Sequence, residues 1–397
     1  MFYYVGIDIA KRSHEIAVTD SDGKFVVKPF KFDNSNKGLD KLLTALNSVS
    51  SNLADFEFGM EATGHYWLNL YCKLTDLGAV VHVINPVQSD ALRGLYIRKT
   101  KTDSKDSLII ADLIRIGRYS KTTLADPSLI ELRELTRQRF YLVDCISDAK
   151  RKVISLVDKV FPEYEQLFSD MFGATSLALL DKYPTPDLLA EVSTTKLTNF
   201  LKSVSHGRHG RSKAEEIKSI ASTSFGSSVF SAGSAFALKQ FIQQIELLER
   251  QVDDLQDYIA ELLPAFNSTL TTINGIGTTL AAIFLSEIGD INRFENAEKL
   301  AAFAGIDPTV NQSGEFSGTK AKMSKRGSPY LRRAFFLAAV SCNLHNPALK
   351  ALYDRKRSQG KHHLVALSAV MRKLVNIVYS VLKSNQPYIM VMPDYSV

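Results

Sequence analysis

Four acidic residues in the first part of the chain have the side chains and the placement that metal chemistry requires. They are Asp8 in YYVGIDIAK, Glu61 in FGMEATGHY, and the pair Asp103 and Asp106 in KTDSKDSLIIADL. Each one follows or begins a segment with a regular pattern, so a fold could bring the four carboxylates together. Mg²⁺ prefers hard oxygen ligands, and two such ions can stabilise the attacking and the leaving oxygen of a phosphoryl transfer. The four acids therefore predict a divalent-metal site.

The elements that must hold Asp8 and Glu61 are strands. Segments with alternating or β-branched and aromatic residues span 3–9, 15–19, 24–32, 55–60 and 79–84. The second and third segments flank the turn Asp20–Gly23, which predicts a hairpin. An amphipathic stretch at 65–77 joins the last two segments as a βαβ unit. We predict the order β, β, β, β, α, β and then a helix, with Asp8 and Glu61 at strand ends.

Asp103 and Asp106 begin a predicted helix that runs to about residue 116. A spacing of three places both side chains on one helical face. Asp103 is also a plausible N-cap, and acids in the first turn suit the helix dipole, so part of the pattern has a structural explanation. Basic residues that could meet a phosphate lie close by in the sequence, at Arg98, Lys99, Lys101 and Lys105.

Composition is compatible with a polyanionic partner. The 397 residues carry a formal net charge of +6 and can form two or three cores. The cysteines, Cys72, Cys145 and Cys342, are odd in number and lack CxxC spacing, which argues against a disulfide framework or a zinc site. The sequence has no apolar run of transmembrane length and no signal-peptide pattern at its start. We expect a cytoplasmic protein without membrane contact.

Beyond residue 121 the pattern becomes helical. Apolar residues at spacings of three and four predict one long helix at 127–161 and another at 235–263. The two could form an antiparallel coiled coil within the chain or between subunits. Further on, the segment Asn274–Gly277 predicts a turn of the helix-hairpin-helix kind, although a tight turn between packed helices explains it equally well. Residues 318–333 are rich in basic and small polar side chains and predict a phosphate-binding surface.

Taken in order, these motifs resemble one known family. The series GIDIAK, MEATGHY, KTDSKD, NGIG, AFAGIDP, SGEF and SKRGSPYLRRA is similar to the bacterial transposases of the insertion-sequence 110 family, which are bridge-RNA-guided recombinases. The resemblance extends from Tyr3 to about Ala339. It implies an N-terminal ribonuclease-H-like (RuvC-like) domain, similar to Holliday-junction resolvases, whose DEDD carboxylates bind Mg²⁺ or Mn²⁺. By motif these are Asp8, Glu61, Asp103 and Asp106.

The resemblance also implies a C-terminal transposase domain with a serine nucleophile, DNA as substrate, and a structured bridge RNA as partner. Ser313 matches the family's Ser-Gly step after the turn Gly305–Pro308, and Ser324 and Ser328 are competitors nearby. Recombination needs at least two active sites, which favours a dimer or tetramer. Nucleic-acid contacts are expected at Arg98, Lys99, Lys101, Lys105, Lys320, Lys322, Lys325, Arg326, Arg332 and Arg333.

The predicted architecture is α/β plus all-α, in four parts. A ribonuclease-H-like mixed sheet occupies 1–122, long helices 123–267, the mostly helical transposase domain 268–345, and a helical extension 346–397. The predicted function is a transposase that cuts and rejoins DNA through a covalent phosphoserine. Two alternatives remain: a two-metal, resolvase-like nuclease without serine chemistry, and a non-catalytic nucleic-acid-binding protein. An actin-like sugar kinase is disfavoured because its further glycine-rich phosphate loops are absent from the sequence.

Overall fold

The chain forms two compact units, Met1–Leu124 and Ala125–Val397. The computed structural model describes residues 2–61, 64–84, 89, 103–117, 127–226, 231–308, 312–313, 316–317 and 322–392, with the backbone alone for 103–105, 127, 231, 312–313 and 316–317.

The first unit is built on a five-stranded mixed sheet. Its strands are β1 Tyr3–Asp8, β2 Ser13–Thr19, β3 Phe25–Asp33, β4 Phe56–Glu61 and β5 Val80–Ile84. The spatial order is β3-β2-β1-β4-β5, in which β2 is antiparallel to both β1 and β3, and β4 is parallel to both β1 and β5. The predicted strands and the hairpin at Asp20–Gly23 are confirmed. In that turn Gly23 has a φ of +81°, and the Asp20 carboxylate accepts hydrogen bonds from the backbone N–H groups of Asp22 and Lys24.

The described helices of this unit are α1 Asn36–Asn47, α2 Trp67–Asp76 and α3 Asp103–Arg115. Helices α2 and α3 confirm the predictions to within two residues. The predicted element order was wrong in omitting α1, whose signal is Ser35 as N-cap followed by buried Leu42 and Leu46. A connection of this size is needed because β3 lies at one edge of the sheet and β4 lies beyond β1. Helices α1 and α2 cover one face of the sheet, against Val5, Ile7, Phe56 and Phe58.

Two long helices organise the second unit. They are α4 Pro127–Val160 and α9 Ser231–Leu262, and they pack against each other along their length. Arg139 donates to Gln256, and Lys150 pairs with Glu249 at 3.0 Å. Higher residue numbers on α4 therefore meet lower residue numbers on α9, so the two helices are antiparallel. The predicted long helices are confirmed as an antiparallel pair within the chain.

A separate core forms at each end of this pair. Near Val153 and Ile242 the pair packs on α5 Ala174–Lys182, α6 Pro186–Glu191, α7 Thr194–Val204 and α8 Arg211–Ser222. Near Leu132 and Ile259 it packs on the C-terminal elements. These are α10 Thr278–Ile288, α11 Ala297–Ala304, α12 Pro329–His345, α13 Pro347–Ser358 and α14 His363–Ser384. The short strands β6 Gln312–Ser313 and β7 Phe316–Ser317 lie between α11 and α12 in the chain.

Two details of the C-terminal region differ from what the sequence predicts. The element before the Gly275-Ile-Gly277 turn is a single 3-10 turn, Leu270–Thr272, in place of the first helix of the expected hairpin, because Pro264 and the left-handed Asn267 end the preceding helical segment. Helix α14 is long and apolar enough to cross a membrane by length and composition. Eight of its residues, including Leu367 and Val370, are buried in the core as in a core helix, whereas Leu364 and Val365 are exposed.

Candidate active site

Asp8 and Glu61 lie side by side at one edge of the sheet. Asp8 is the last residue of β1 and Glu61 the last of β4, and the register pairs Ile7 with Met60, one residue earlier in each strand. Because alternate residues of a strand point to the same face, Asp8 shares a face with Gly6, and Glu61 shares it with Gly59. Both carboxylates are half-buried. One oxygen of Glu61 accepts a hydrogen bond from the Ser89 hydroxyl at 3.0 Å.

Helix α3 crosses this same face because two glycines leave room for it. Gly6 and Gly59 are register partners. A Cβ atom at Gly6 would lie 1.9 Å from the Ser107 carbonyl oxygen, and one at Gly59 would lie 2.0 Å from the Ile114 side chain. The backbone of α3 therefore rests directly on β1.

The direction of α3 brings its first turn to the acidic edge. At its C-terminal end the Arg115 guanidinium reaches the Ser21 carbonyl in the β2–β3 turn, at the opposite end of the sheet from Asp8. The helix thus runs antiparallel to β1, and its N-terminal residues, Asp103 and Asp106, lie at the edge that carries Asp8 and Glu61. Asp106 is buried.

The donor chemistry of this edge fits a divalent cation. The three acids with described side chains, Asp8, Glu61 and Asp106, offer only hard oxygen donors, which Mg²⁺ and Mn²⁺ favour. Among the side chains that the structure describes, no three His, Cys, Asp or Glu residues form a preassembled metal-binding group. The Asp103 and Lys105 side chains, and all of Arg98, Lys99 and Lys101, lie outside the described residues.

Sequence reasoning missed two residues at this edge. Ser89, which binds Glu61, follows a segment without a regular pattern and gave no signal. Glu15 lies on β2 directly opposite Asp8, and the hairpin register could have identified it.

In the second unit, Ser313 lies on a short hairpin. Its backbone pairs with Phe316, and Gln312 pairs with Ser317, while Pro308 and Met323 form a bridge closer to the body of the unit. The Ser313 side chain and all of Lys320 lie outside the described residues.

The two competing serines make contacts within the chain. The Ser324 hydroxyl donates to the Asp307 carboxylate, and the Ser324 N–H donates to the Asp307 carbonyl at 2.9 Å. Ser328 is the N-cap of α12, where its hydroxyl oxygen accepts from the Leu331 N–H, and the hydroxyl donates to Glu287 at 2.8 Å. Both hydroxyls therefore hold the segment before α12 against its neighbours.

The basic residues of this region divide into two groups. Lys322, Lys325 and Arg326 are exposed, and Lys325 has a left-handed backbone with a φ of +55°. Arg332 donates to the Ala304 carbonyl at 3.3 Å. Arg333 forms a two-pronged ion pair with Asp144, at 2.8 and 2.7 Å, and stacks on Phe140.

The Asn274–Gly277 segment also has a packing role. A Cβ at Gly275 would lie 2.7 Å from the Cα of Cys342 on α12, and the φ of Gly275 is +98°. Both observations require glycine there for close contact between backbones.

Comparison with known proteins identifies the family. A family model described as Transposase, of the DEDD type of IS110 elements, matches residues 5–162, and the model Transposase IS116/IS110/IS902 family matches residues 267–354. The chain is 27% identical to the "Insertion element IS900 uncharacterized 42 kDa protein" of Mycobacterium paratuberculosis, over 97% of the chain and 96% of that protein.

Two further relatives match almost end to end. The "Mini-circle putative transposase for IS117" of Streptomyces coelicolor is 25% identical over 97% of this chain and 95% of its own length. The "Pilin gene-inverting protein" of Moraxella bovis is 24% identical over 97% of both. These matches confirm the resemblance seen in the motifs, and the sheet described above is the ribonuclease-H-like domain of the DEDD type. The chain belongs to the IS110 family of transposases, enzymes that cut and rejoin DNA.

Proposed function

We propose that the chain exchanges DNA strands of an insertion sequence through a covalent phosphoserine, with Ser313 as nucleophile and Asp8, Glu61, Asp103 and Asp106 as metal ligands. The observation that carries the proposal is the convergence of β1, β4 and the first turn of α3 at one edge of the sheet. That edge presents carboxylates to whatever phosphate approaches it.

The residues would divide the reaction between them. Bound Mg²⁺ or Mn²⁺ would supply electrostatic stabilisation of the attacking and leaving oxygens. The Ser313 hydroxyl gives up its proton and attacks phosphorus, so an O–P bond to serine forms while the bond to one DNA oxygen breaks and that oxygen takes a proton. A hydroxyl of the partner strand then attacks the phosphoserine, and Ser313 leaves with its proton restored. The exposed Lys325 and Arg326 would hold the DNA backbone.

The partners follow from the same proposal. We infer a homo-oligomer, dimer or tetramer, because strand exchange needs at least two active sites, and a bridge RNA that supplies sequence recognition. The net charge of +6 is compatible with both nucleic acids. The paired α4 and α9 would act as the coiled coil, and the four-part division of the chain remains our proposal. We expect the protein to work in the cytoplasm.

The adduct between protein and DNA tests the nucleophile. Purified protein is incubated with DNA containing an element junction, its bridge RNA and Mg²⁺, and covalent adducts are resolved on denaturing gels and mapped by mass spectrometry. Ser313→Ala should form no adduct, whereas Ser324→Ala should keep one. An adduct that persists in Ser313→Ala would exclude Ser313 as the nucleophile. DNA ends released by that variant would favour the resolvase-like nuclease.

The metal site is tested separately by calorimetric titration with Mg²⁺. Asp8→Asn should lose most of the affinity for Mg²⁺ and retain the fold, as judged by circular dichroism. An unchanged affinity of Asp8→Asn for Mg²⁺ would contradict a metal site at this edge of the sheet.

A further inference from the structure

A further carboxylate, Glu15, shares the acidic edge with Asp8. Strand β2 is antiparallel to β1, and the register places Glu15 directly opposite Asp8. Directly opposed residues in such a pair have Cβ atoms about 4.5–5.5 Å apart and point to the same face. Glu15 is 8% exposed, so its carboxylate is confined to this neighbourhood rather than extended into solvent.

Four neighbouring strands therefore carry a row of charged side chains across the sheet. Glu61, Asp8 and Glu15 follow one another on β4, β1 and β2, and the next residue in the row is Lys31 on β3. Like charges directly opposite each other destabilise a sheet. Lys31 compensates in part, with its ammonium 3.6 Å from a Glu15 oxygen, but its side chain is 60% exposed and water screens it. Counted over these four residues, three carboxylates stand against one ammonium, so the row has a net negative charge.

We infer that Glu15 is a positioning residue of the metal site, which raises the affinity of the edge for a divalent cation by its charge beside Asp8, and that Lys31 limits this effect. This inference rests on the proposed function, which makes Asp8 a metal ligand. Glu15 acts through Asp8: it is not one of the four motif acids. A bound cation relieves the repulsion between the two carboxylates, so part of the cost of opposing them is recovered when the metal binds.

The chain offers a matched control in Glu57. It lies on β4 on the same face as Glu61, four residues away, which is about 13 Å along a strand. It also pairs with a basic residue, since its carboxylate is 3.7 Å from His82. Removing the charge of Glu57 therefore tests whether any carboxylate on this face changes the affinity for the metal ion, or only a carboxylate beside Asp8.

The experiment is calorimetric titration of the full-length protein with Mg²⁺, repeated with Mn²⁺, for the wild type and four variants. Glu15→Gln should bind about ten-fold more weakly, in line with residues that support metal ligands. Lys31→Gln should bind about three-fold more tightly, a smaller change because Lys31 is exposed. Glu15→Asp, which keeps the charge, should stay within about two-fold of wild type, and Glu57→Gln should be unchanged.

Opposite shifts from Glu15→Gln and Lys31→Gln cannot arise from a general loosening of the sheet. Wild-type affinity in Glu15→Gln, together with lost affinity in Asp8→Asn, would overturn the role of Glu15 and leave the metal site standing. Wild-type affinity in Asp8→Asn would overturn the site itself. If Glu15→Gln fails to fold, weak binding in the folded Glu15→Asp variant, or unchanged binding in Lys31→Gln, would contradict the inference.

Discussion

Glu61 and Glu287 show how differently the two units use acids. Glu287 is 4% exposed in the last turn of α10, and its carboxylate accepts from Arg137 at 2.7 and 3.2 Å and from Ser328 at 2.8 Å. Glu61 is half-buried at the end of a strand, beside Asp8, and accepts a hydrogen bond from Ser89. The first acid joins three elements of one core. The second belongs to a row of acids.

The charges around each acid explain the difference. Near Glu287 lie Arg133, Arg137 and Arg293. Burial lowers the pKa of Arg133 and of Arg293, an effect that the charge of Glu287 partly offsets, whereas for Arg137 the hydrogen bond and charge of Glu287 overcome burial and raise the pKa. The Glu287 carboxylate is held by Arg137 and Ser328, so its role is structural. Among the described residues of the row in the first unit, the acids Glu61, Asp8 and Glu15 outnumber the one cation, Lys31, and such an excess of acids favours a metal ion.

The largest effect is expected from removing the structural acid. Glu287→Ala leaves the half-buried Arg137 without its ion-pair partner, and breaking a pair whose carboxylate is buried costs about 3–5 kcal/mol. Hydrogen exchange should show faster exchange in α10 and α12, with the sheet of the first unit unaffected. Glu287→Gln, which can still accept from Arg137, should lose less. Wild-type protection of α10 in Glu287→Ala would mean that Glu287 does not hold this core together.

A smaller loss is expected where the acidic edge is assembled. Gly6→Ala would place a Cβ 1.9 Å from a backbone oxygen of α3, so we expect a cost of about 3 kcal/mol and a weaker affinity for Mg²⁺ as α3 moves away from β1. Gly59→Ala is the matched control, because its nearest neighbour is the movable end of the Ile114 side chain and the cost should be about 1 kcal/mol. Urea denaturation measures both. Equal costs would show that α3 does not rest on β1 through its backbone.

The acidic edge was predictable from sequence because its signals are local. Strand alternation ends at Asp8 and Glu61, and parallel strands connected by helices bring such ends to one edge. The helix at Asp103 begins with two acids at a spacing of three. The sequence analysis did not use the hairpin register that sets Glu15 against Asp8, and it missed helix α1, whose apolar positions lie between polar residues.

The contacts of the second unit were less predictable because they join distant parts of the chain. Arg137 and Glu287 are 150 positions apart, and neither lies in a recognisable motif. Arg333 has the sequence context of a DNA contact, in a run of basic residues, yet it pairs with Asp144 on α4. Composition describes how many charges a segment has, but only the fold decides which of them meet a partner within the protein.

The smallest effect concerns His14, a buried base of the first unit, which contrasts with the more accessible arginines around Glu287 in the second. His14 is 1% exposed, and its Nδ1 atom accepts from the Ala10 N–H at 3.4 Å. Burial lowers the pKa of His14 from its ordinary 6.5, and a hydrogen bond that the ring donates to Asn34 opposes this effect only in part. Between the folded pKa and 6.5 the unfolded chain binds more protons, so stability should fall as the pH falls through this window.

For one group the slope is at most about 1.4 kcal/mol per pH unit. The measurement is the urea midpoint of wild type and His14→Gln between pH 5 and 7.5, converted to free energies of unfolding. The difference between wild type and variant should shrink as the pH falls below 6.5 and stay constant above it, because the variant lacks the titrating ring. A difference that is constant over the whole range would mean that His14 titrates alike in the folded and unfolded chain, and that the first unit does not require a neutral base at this site.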